Sequence, residues 1–208
     1  MKFLSFVLSV LFVIQINDAH KLNIELLYES LCPDSVRFVK NQLAPTFDEI
    51  ADYVNITFVP FGKAFSNQNG DFDCQHGPIE CKGNRIQSCV LNQIPDQVKQ
   101  VQYVHCFMQT YVTNPMEQGE KCATQAGAIW EVVKQCVESK AGMLLQLQAE
   151  QTTSHYKPQF IPTIVYDKKF DQNAQDSSIA GFRDYVCKRL QKDKQDVCAP
   201  MRLKPIRA

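Results

Sequence analysis

The chain has 208 residues with 22 basic and 22 acidic side chains, so its formal net charge is zero. That balance argues against a nucleic-acid binder, which carries a basic excess on one face. The length suits one domain with a proper core, or one domain with an insertion, and nine cysteines must be accounted for.

The N-terminus reads as a targeting segment. Met1-Lys2 precedes an apolar run from Phe3 to Ile16, broken only by Ser5, Ser9 and Gln15, and polarity returns at Asn17-Asp18. A charged start and a short apolar stretch are the pattern of a signal peptide, expected over residues 1–19 with cleavage near Ala19. The run is shorter than the about 20 residues that cross a bilayer. No later segment reaches that length, so the mature chain is expected to have no membrane span. Residues 20–208 are expected to be one domain that has entered the secretory route, where cysteines form disulfides.

From Leu22 to Tyr28, LNIELLY has the branched and aromatic residues of a mostly buried strand. Cys32-Pro33 opens a helix, since Pro fits a first turn whose N–H would be unpaired anyway. Val36, Val39 and Leu43 recur at helical spacing, and Pro45 either continues or kinks that helix. A second strand is predicted from Val54 to Phe61. Residues 62–92 are rich in Gly, Asn, Asp and Pro and read as a cysteine-rich loop. Helical patterns follow from Pro95 to about Val112 and from about Glu120 to Gln151, tied by Cys106, Cys122 and Cys136. Residues 62–152 thus form an insertion. Strand character returns from Phe160 to Asp167, followed by a short strand near Lys169 and a helix from about Ser178 to Leu190. The order strand–helix–strand, helical insertion, strand–strand–helix is α/β and thioredoxin-like, with a disulfide-stapled insertion.

Nine cysteines cannot all pair within one chain. Cys74, Cys81, Cys89, Cys106, Cys122, Cys136, Cys187 and Cys198 are the disulfide candidates, and Cys32, far upstream, is left as the free thiol. Spacing suggests one pairing only, the local Cys187–Cys198 bridge. Cys32 stands at a helix N-terminus, where unpaired N–H groups and the dipole favour a thiolate. Asp34 beside it opposes ionisation. On CPDS alone, a reactive thiol and an inert buried one are equally open. Ser35 occupies the fourth position, where a dithiol reductase carries its second sulfur.

Other chemistries fit less well. Zinc on Cys74, Cys81, Cys89 and His76 lacks the close cysteine pairs such sites favour, and no metal or cofactor is expected. A cysteine protease using Cys32 with His105 or His155 is a weak reading, because the surroundings of Cys32 do not match the C-G-[SA]-C-[WY] signature and no partner is fixed by spacing. Asn55-Ile56-Thr57 is a glycosylation sequon set in a strand, making Asn55 the expected acceptor.

The stretch CQHGPIECKGNRIQSC, Cys74 to Cys89, follows the pattern C-Q-H-G-x2-E-C-x2-N-x4-C. Cys74, Gln75, His76, Gly77, Glu80, Cys81, Asn84 and Cys89 all match. By this signature the chain resembles the gamma-interferon-inducible lysosomal thiol reductase (GILT) family. The resemblance extends through ESLCPDS, NITFVPFG, IPTIVYD and the DYVCKRL…DVC end. It implies a thioredoxin-like fold and reduction of protein disulfides in endosomal or lysosomal compartments. It also places the reactive C-x-x-C positions on Cys32 and Ser35, of which only the first is cysteine. In folds of this kind a proline before the third strand is cis and faces the reactive cysteine, which makes Pro162 that candidate.

Two functional readings follow. In the first, Cys32 alone exchanges disulfides of protein substrates and an external thiol resolves the mixed disulfide. In the second, the protein is a catalytically inactive secreted thioredoxin-fold chain that acts by binding other proteins. Secreted and lysosomal destinations are both open, and so are a monomer and a disulfide-linked dimer through Cys32.

Overall fold

The computed structural model describes residues 21–68, 71–109 and 112–191, together with Cys198. The expected leader, residues 1–19, lies outside the described residues, as does the chain after Cys198.

Strand β1 (Leu22–Tyr28) is the centre of a three-stranded sheet of order β2-β1-β5. β2 (Val54–Pro60) runs parallel to it, with Leu22 opposite Val54 and Tyr28 opposite Pro60. β5 (Thr163–Tyr166) runs antiparallel, with Ile24 opposite Tyr166 and Leu27 opposite Thr163. Alternate residues of a strand face opposite sides of its sheet. Leu26 and Tyr28 therefore join the core that contains Phe38, Phe47 and Phe182, whereas Leu27 joins Val59, Val165 and Ala149 on the other face. Covering both faces explains why LNIELLY ends in an unbroken apolar run. Each leucine buried there contributes about 1.5–3 kcal/mol.

The crossover between β1 and β2 comprises α1 (Pro33–Phe38), a π-helical turn (Val39–Leu43) and α2 (Ala44–Ile50). Pro45 neither ends nor breaks it. Its ring cannot donate and crowds the carbonyl four residues back. The wider turn absorbs this, with the Ala44 N–H bonded to the Val39 carbonyl. Phe38 of the crossover joins the core on the Leu26 and Tyr28 face of the sheet, where its ring meets Phe182 edge-on at 5.3 Å.

The segment 62–92 departs from the loop expected for it. After a minimal pair of strands, β3 (Phe65–Ser66) and β4 (Phe72–Asp73), residues Pro78–Gln93 form a 16-residue helix, α3. Gly77 precedes it and Pro78 takes its first turn. Its buried face mixes Ile86, Cys89 and Val90 with Glu80, Asn84, Gln87 and Ser88. Those polar residues mask the apolar period that would have revealed the helix.

The helical insertion continues with α4 (Gln97–Phe107), α5 (Pro115–Gln125), α6 (Trp130–Glu138) and α7 (Lys140–Tyr156). The helical stretch expected from about Glu120 to Gln151 is thus shared among three helices. Asn114 caps α5 by accepting the Glu117 N–H, with Pro115 in the first turn, and Ser139 separates α6 from α7 with an extended ψ of 176°.

No strand follows β5 near Lys169. Asp167 and Lys168 both have positive φ, 49° and 61°, and turn the chain so that only a single bridge, Tyr166 to Lys169, forms. Asp167 secures that turn by accepting the Asn23 N–H at 3.1 Å and an Arg189 N–H at 2.9 Å. The last helix, α8 (Gln172–Gln191), starts before Ser178 because Asp171 accepts the Ala174 N–H, and it kinks at Gly181.

Four disulfides are present: Cys74–Cys81, Cys89–Cys136, Cys106–Cys122 and Cys187–Cys198. They tie β4's end to α3, α3 to α6, α4 to α5, and α8 to the chain beyond it. The whole is a thioredoxin-like α/β fold whose helical insertion is cross-linked internally.

Candidate functional site

Cys32 is the N-cap of α1, and its carbonyl accepts the Val36 N–H at 3.0 Å. It is the free cysteine among the described residues and is 8 % exposed. Its thiol points at the Ile161 carbonyl, 3.6 Å away. The loop before β5 and the N-terminus of α1 meet across this contact, and the Ile161–Pro162 peptide in that loop is cis.

Beside it lies a groove of about 490 Å³. Its walls include Arg37 and Phe38 of α1, Phe160, Ile161 and Pro162 of the loop, and Ile179 of α8. Ile179 is partly exposed, and Phe160 pairs with Phe170 at 6.4 Å. A concave wall that mixes Phe160, Ile161, Pro162 and Ile179 with a few polar groups such as Arg37 and Gln175 suits a part-apolar ligand.

Asp34, expected to oppose ionisation of the thiol, pairs with Arg37 at 2.8 Å, and both are well exposed. Ser35 is fully buried behind Cys32. Its hydroxyl oxygen accepts the Glu29 N–H at 3.4 Å. That bond leaves the hydroxyl proton unused. Asn55 is exposed on β2, at the sheet edge, and its amide donates to Asn23 at 3.3 Å. His105 sits on α4, where burial and then the nearby Lys40 charge hold its imidazole below the usual value. His155 stacks edge-on against Tyr156 at the end of α7. Neither histidine is bonded to Cys32.

Residues that sequence reasoning did not single out hold this turn from behind. Tyr28, Glu29 and Ser30 lead from β1 to Cys32, and all three are buried. The Tyr28 hydroxyl donates to Gln87 at 2.7 Å. The Ser30 N–H donates to Asn84 Oδ1 at 2.9 Å, and its hydroxyl donates to the Glu80 carbonyl at 3.0 Å. A Cβ on Gly83 would lie 2.5 Å from Ser30 Oγ, so glycine permits this approach. Glu29 Oε1 accepts the Lys63 N–H at 2.7 Å. Burial pushes the Glu29 carboxyl above its ordinary value, the Lys63 N–H opposes that, and the Glu80 charge adds to it.

His76 completes this arrangement. Its Nδ1 lies 2.6 Å from Glu80 Oε2 and 3.4 Å from Glu29 Oε2, and its N–H donates to Glu80 Oε1 at 3.0 Å. The signature from Cys74 to Cys89 therefore has a visible physical role. His76, Glu80 and Asn84 anchor the two residues that precede Leu31-Cys32, and the Cys74–Cys81 bridge closes the loop bearing His76. With Cys74, Cys81 and Cys89 in disulfides, none offers a thiolate to a metal. The polar letters of the signature were the one available signal for this contact. Glu29 gave none, being a lone acid at the end of an apolar strand.

The chain as a whole is similar to known proteins. Residues 23–126 match the family model for gamma interferon inducible lysosomal thiol reductase (GILT). The chain is 32 % identical over 199 residues to GILT-like protein 1 of Drosophila melanogaster, covering 87 % of this chain and 80 % of the relative. It is 30 % identical over 206 residues to a gamma-interferon-inducible lysosomal thiol reductase-like protein of Anopheles gambiae, covering 91 % and 86 %. In structure it resembles DsbA of Chlamydia trachomatis, with a TM-score of 0.57 at 15 % identity over 83 % of this chain and 88 % of that one, a likeness of fold. Signature, fold and relatives converge: the chain belongs to the gamma-interferon-inducible lysosomal thiol reductase family.

Proposed function

We propose that the protein is a thiol–disulfide oxidoreductase that works through Cys32 alone. The observation that carries this is the placement of one free thiol at the start of α1, against the Ile161–Pro162 loop and beside an open groove. A substrate peptide lies in the groove, and the Cys32 thiolate attacks one sulfur of its disulfide. A mixed disulfide forms and the other sulfur leaves as a thiolate. Ser35 can hydrogen-bond to sulfur but cannot displace it. A small external thiol therefore attacks the mixed disulfide, releasing the substrate's second thiol and leaving Cys32 joined to the reductant. A second equivalent frees Cys32 and leaves the reductant as its disulfide, so two thiols are oxidised for each bond reduced.

The family's name supports disulfide-bonded proteins as substrates and a lysosomal or secreted setting. Asn55, exposed at the sheet edge, is the proposed glycan acceptor. The competing reading, a binding protein with a vestigial Cys32, draws on the missing second cysteine.

One experiment separates them. Protein-disulfide reduction is assayed between about pH 5 and 7, the window around an ordinary histidine pKa, with and without added small thiol, for wild type and Cys32→Ser. Thiol-dependent activity that Cys32→Ser abolishes is expected. Activity that is absent, or unchanged by Cys32→Ser, sinks the proposal.

A further inference from the structure

The side chains behind the reactive turn close into a ring. Glu29 Oε2 faces His76 Nδ1 at 3.4 Å, and His76 Nδ1 contacts Glu80 Oε2 at 2.6 Å. The Glu80 carbonyl accepts the Ser30 hydroxyl, and Ser30 is joined by its peptide bond to Glu29. Both carboxyl side chains are fully buried, whereas His76 is 30 % exposed and can exchange protons with solvent. Glu29 has no slack. Its Oε1 is held by the Lys63 N–H, and a Cβ on Gly62 would come within 2.2 Å of its Cγ. Yet Glu29 Oε2 has no hydrogen-bond partner. A buried carboxylate oxygen in that position is costly unless a proton or a positive charge meets it.

We propose that Glu29, His76 and Glu80 form one proton-sharing positioning unit for Cys32, which sets the thiol's reactivity through the Glu29–Ser35 bond and the Ser30 anchor. The inference rests on the use of Cys32 as the exchanging thiol. None of the three is placed at the reacting sulfur, so they are positioning residues. The charges that face Glu29 are Glu80 from α3, His76 from the loop before it, and Lys63 from the turn after β2. Adding a proton relieves the Glu29–Glu80 repulsion and tightens the ring. Removing it as the pH rises pushes the two acids apart and loosens the turn. The 2.6 Å contact between His76 and Glu80 is a hydrogen-bond length and favours a shared proton over a metal ion, whose ligand atoms would stand further apart.

The test is the rate of Cys32 alkylation by iodoacetamide across the pH range, in wild type, Glu29→Gln and His76→Gln. Glu29→Gln keeps the shape and the Lys63 acceptor but removes the ionisable group at that one corner of the ring. The mutant-to-wild-type rate ratio is expected to change by at least about threefold, the equivalent of about half a pH unit, across a transition above the ordinary glutamate value of about 4.3. A ratio that stays constant with pH in both variants overturns the inference, because altered packing alone scales the rate uniformly. His76→Gln, at a partly exposed position, carries the test if Glu29→Gln does not fold. Alkylation reads the coupling whether or not the protein reduces disulfides. Failure here and failure of the exchange assay are therefore distinct results.

Discussion

Asn84→Ala probes the anchor between the family signature and the reactive turn. Asn84 is fully buried, and its Oδ1 accepts the Ser30 N–H at 2.9 Å. Removing the amide leaves that N–H buried with no acceptor, a loss of about 1–3 kcal/mol. Asn84 Nδ2 has no partner of its own, so deleting it returns part of that cost. A net loss of about 2 kcal/mol is expected, which is about thirtyfold in the folding equilibrium and about 4–8 °C in Tm for a chain of this size. The assay is urea unfolding at neutral pH with the disulfides intact, paired with the alkylation rate of Cys32. A midpoint within error of wild type, with an unchanged alkylation rate, would refute the reasoning that this bond holds the turn.

Two further outcomes follow from the same structure. Removing the Cys89–Cys136 bridge by paired Ala substitutions opens a span of 47 residues, against 7 for Cys74–Cys81. On chain entropy the longer loop costs about 4 kcal/mol and the shorter about 2–3 kcal/mol, and denaturant titration of the two double variants should preserve that order. Arg183 grips Glu49 with two nitrogens at 2.6–3.0 Å and holds its carboxyl below the ordinary value, chiefly through the hydrogen bonds. A depressed carboxyl stabilises the fold above its unfolded pKa and loses that contribution as pH falls through the folded one. The stability gap between wild type and Glu49→Gln, within about 1 kcal/mol for a half-exposed pair, should be full at neutral pH and vanish in strong acid.

Much of the site was legible because its chemistry is written locally. A cysteine before a proline and a helical repeat needs no tertiary information, nor does the odd cysteine count that left Cys32 over. β1 was legible from LNIELLY because both faces of the central strand are covered. Features decided by long-range contacts were hidden. α3 buries Glu80, Asn84, Gln87 and Ser88; Tyr28, Ser30 and Gln146, which pair with the last three, come from distant elements, and only His76, the partner of Glu80, is local. Its sequence therefore looks like loop. The strand near Lys169 failed for a local reason, since Asp167-Lys168 turns with two positive φ angles but lacks the Asn-Gly or Asp-Gly pair that announces such turns. The Asp34–Arg37 pair sits at i,i+3 spacing on α1, a local pattern within reach of sequence reading.

The central claim is that one sulfur performs the exchange and nothing internal resolves it. Incubating the protein with a disulfide-bonded peptide in the absence of small thiol, then quenching with acid and mapping adducts by mass spectrometry, tests it directly. The account predicts a mixed disulfide on Cys32 that accumulates in wild type, clears on adding thiol, and clears without it in Ser35→Cys. An unmodified Cys32 under conditions where the peptide is reduced, or no adduct at any time, would contradict it.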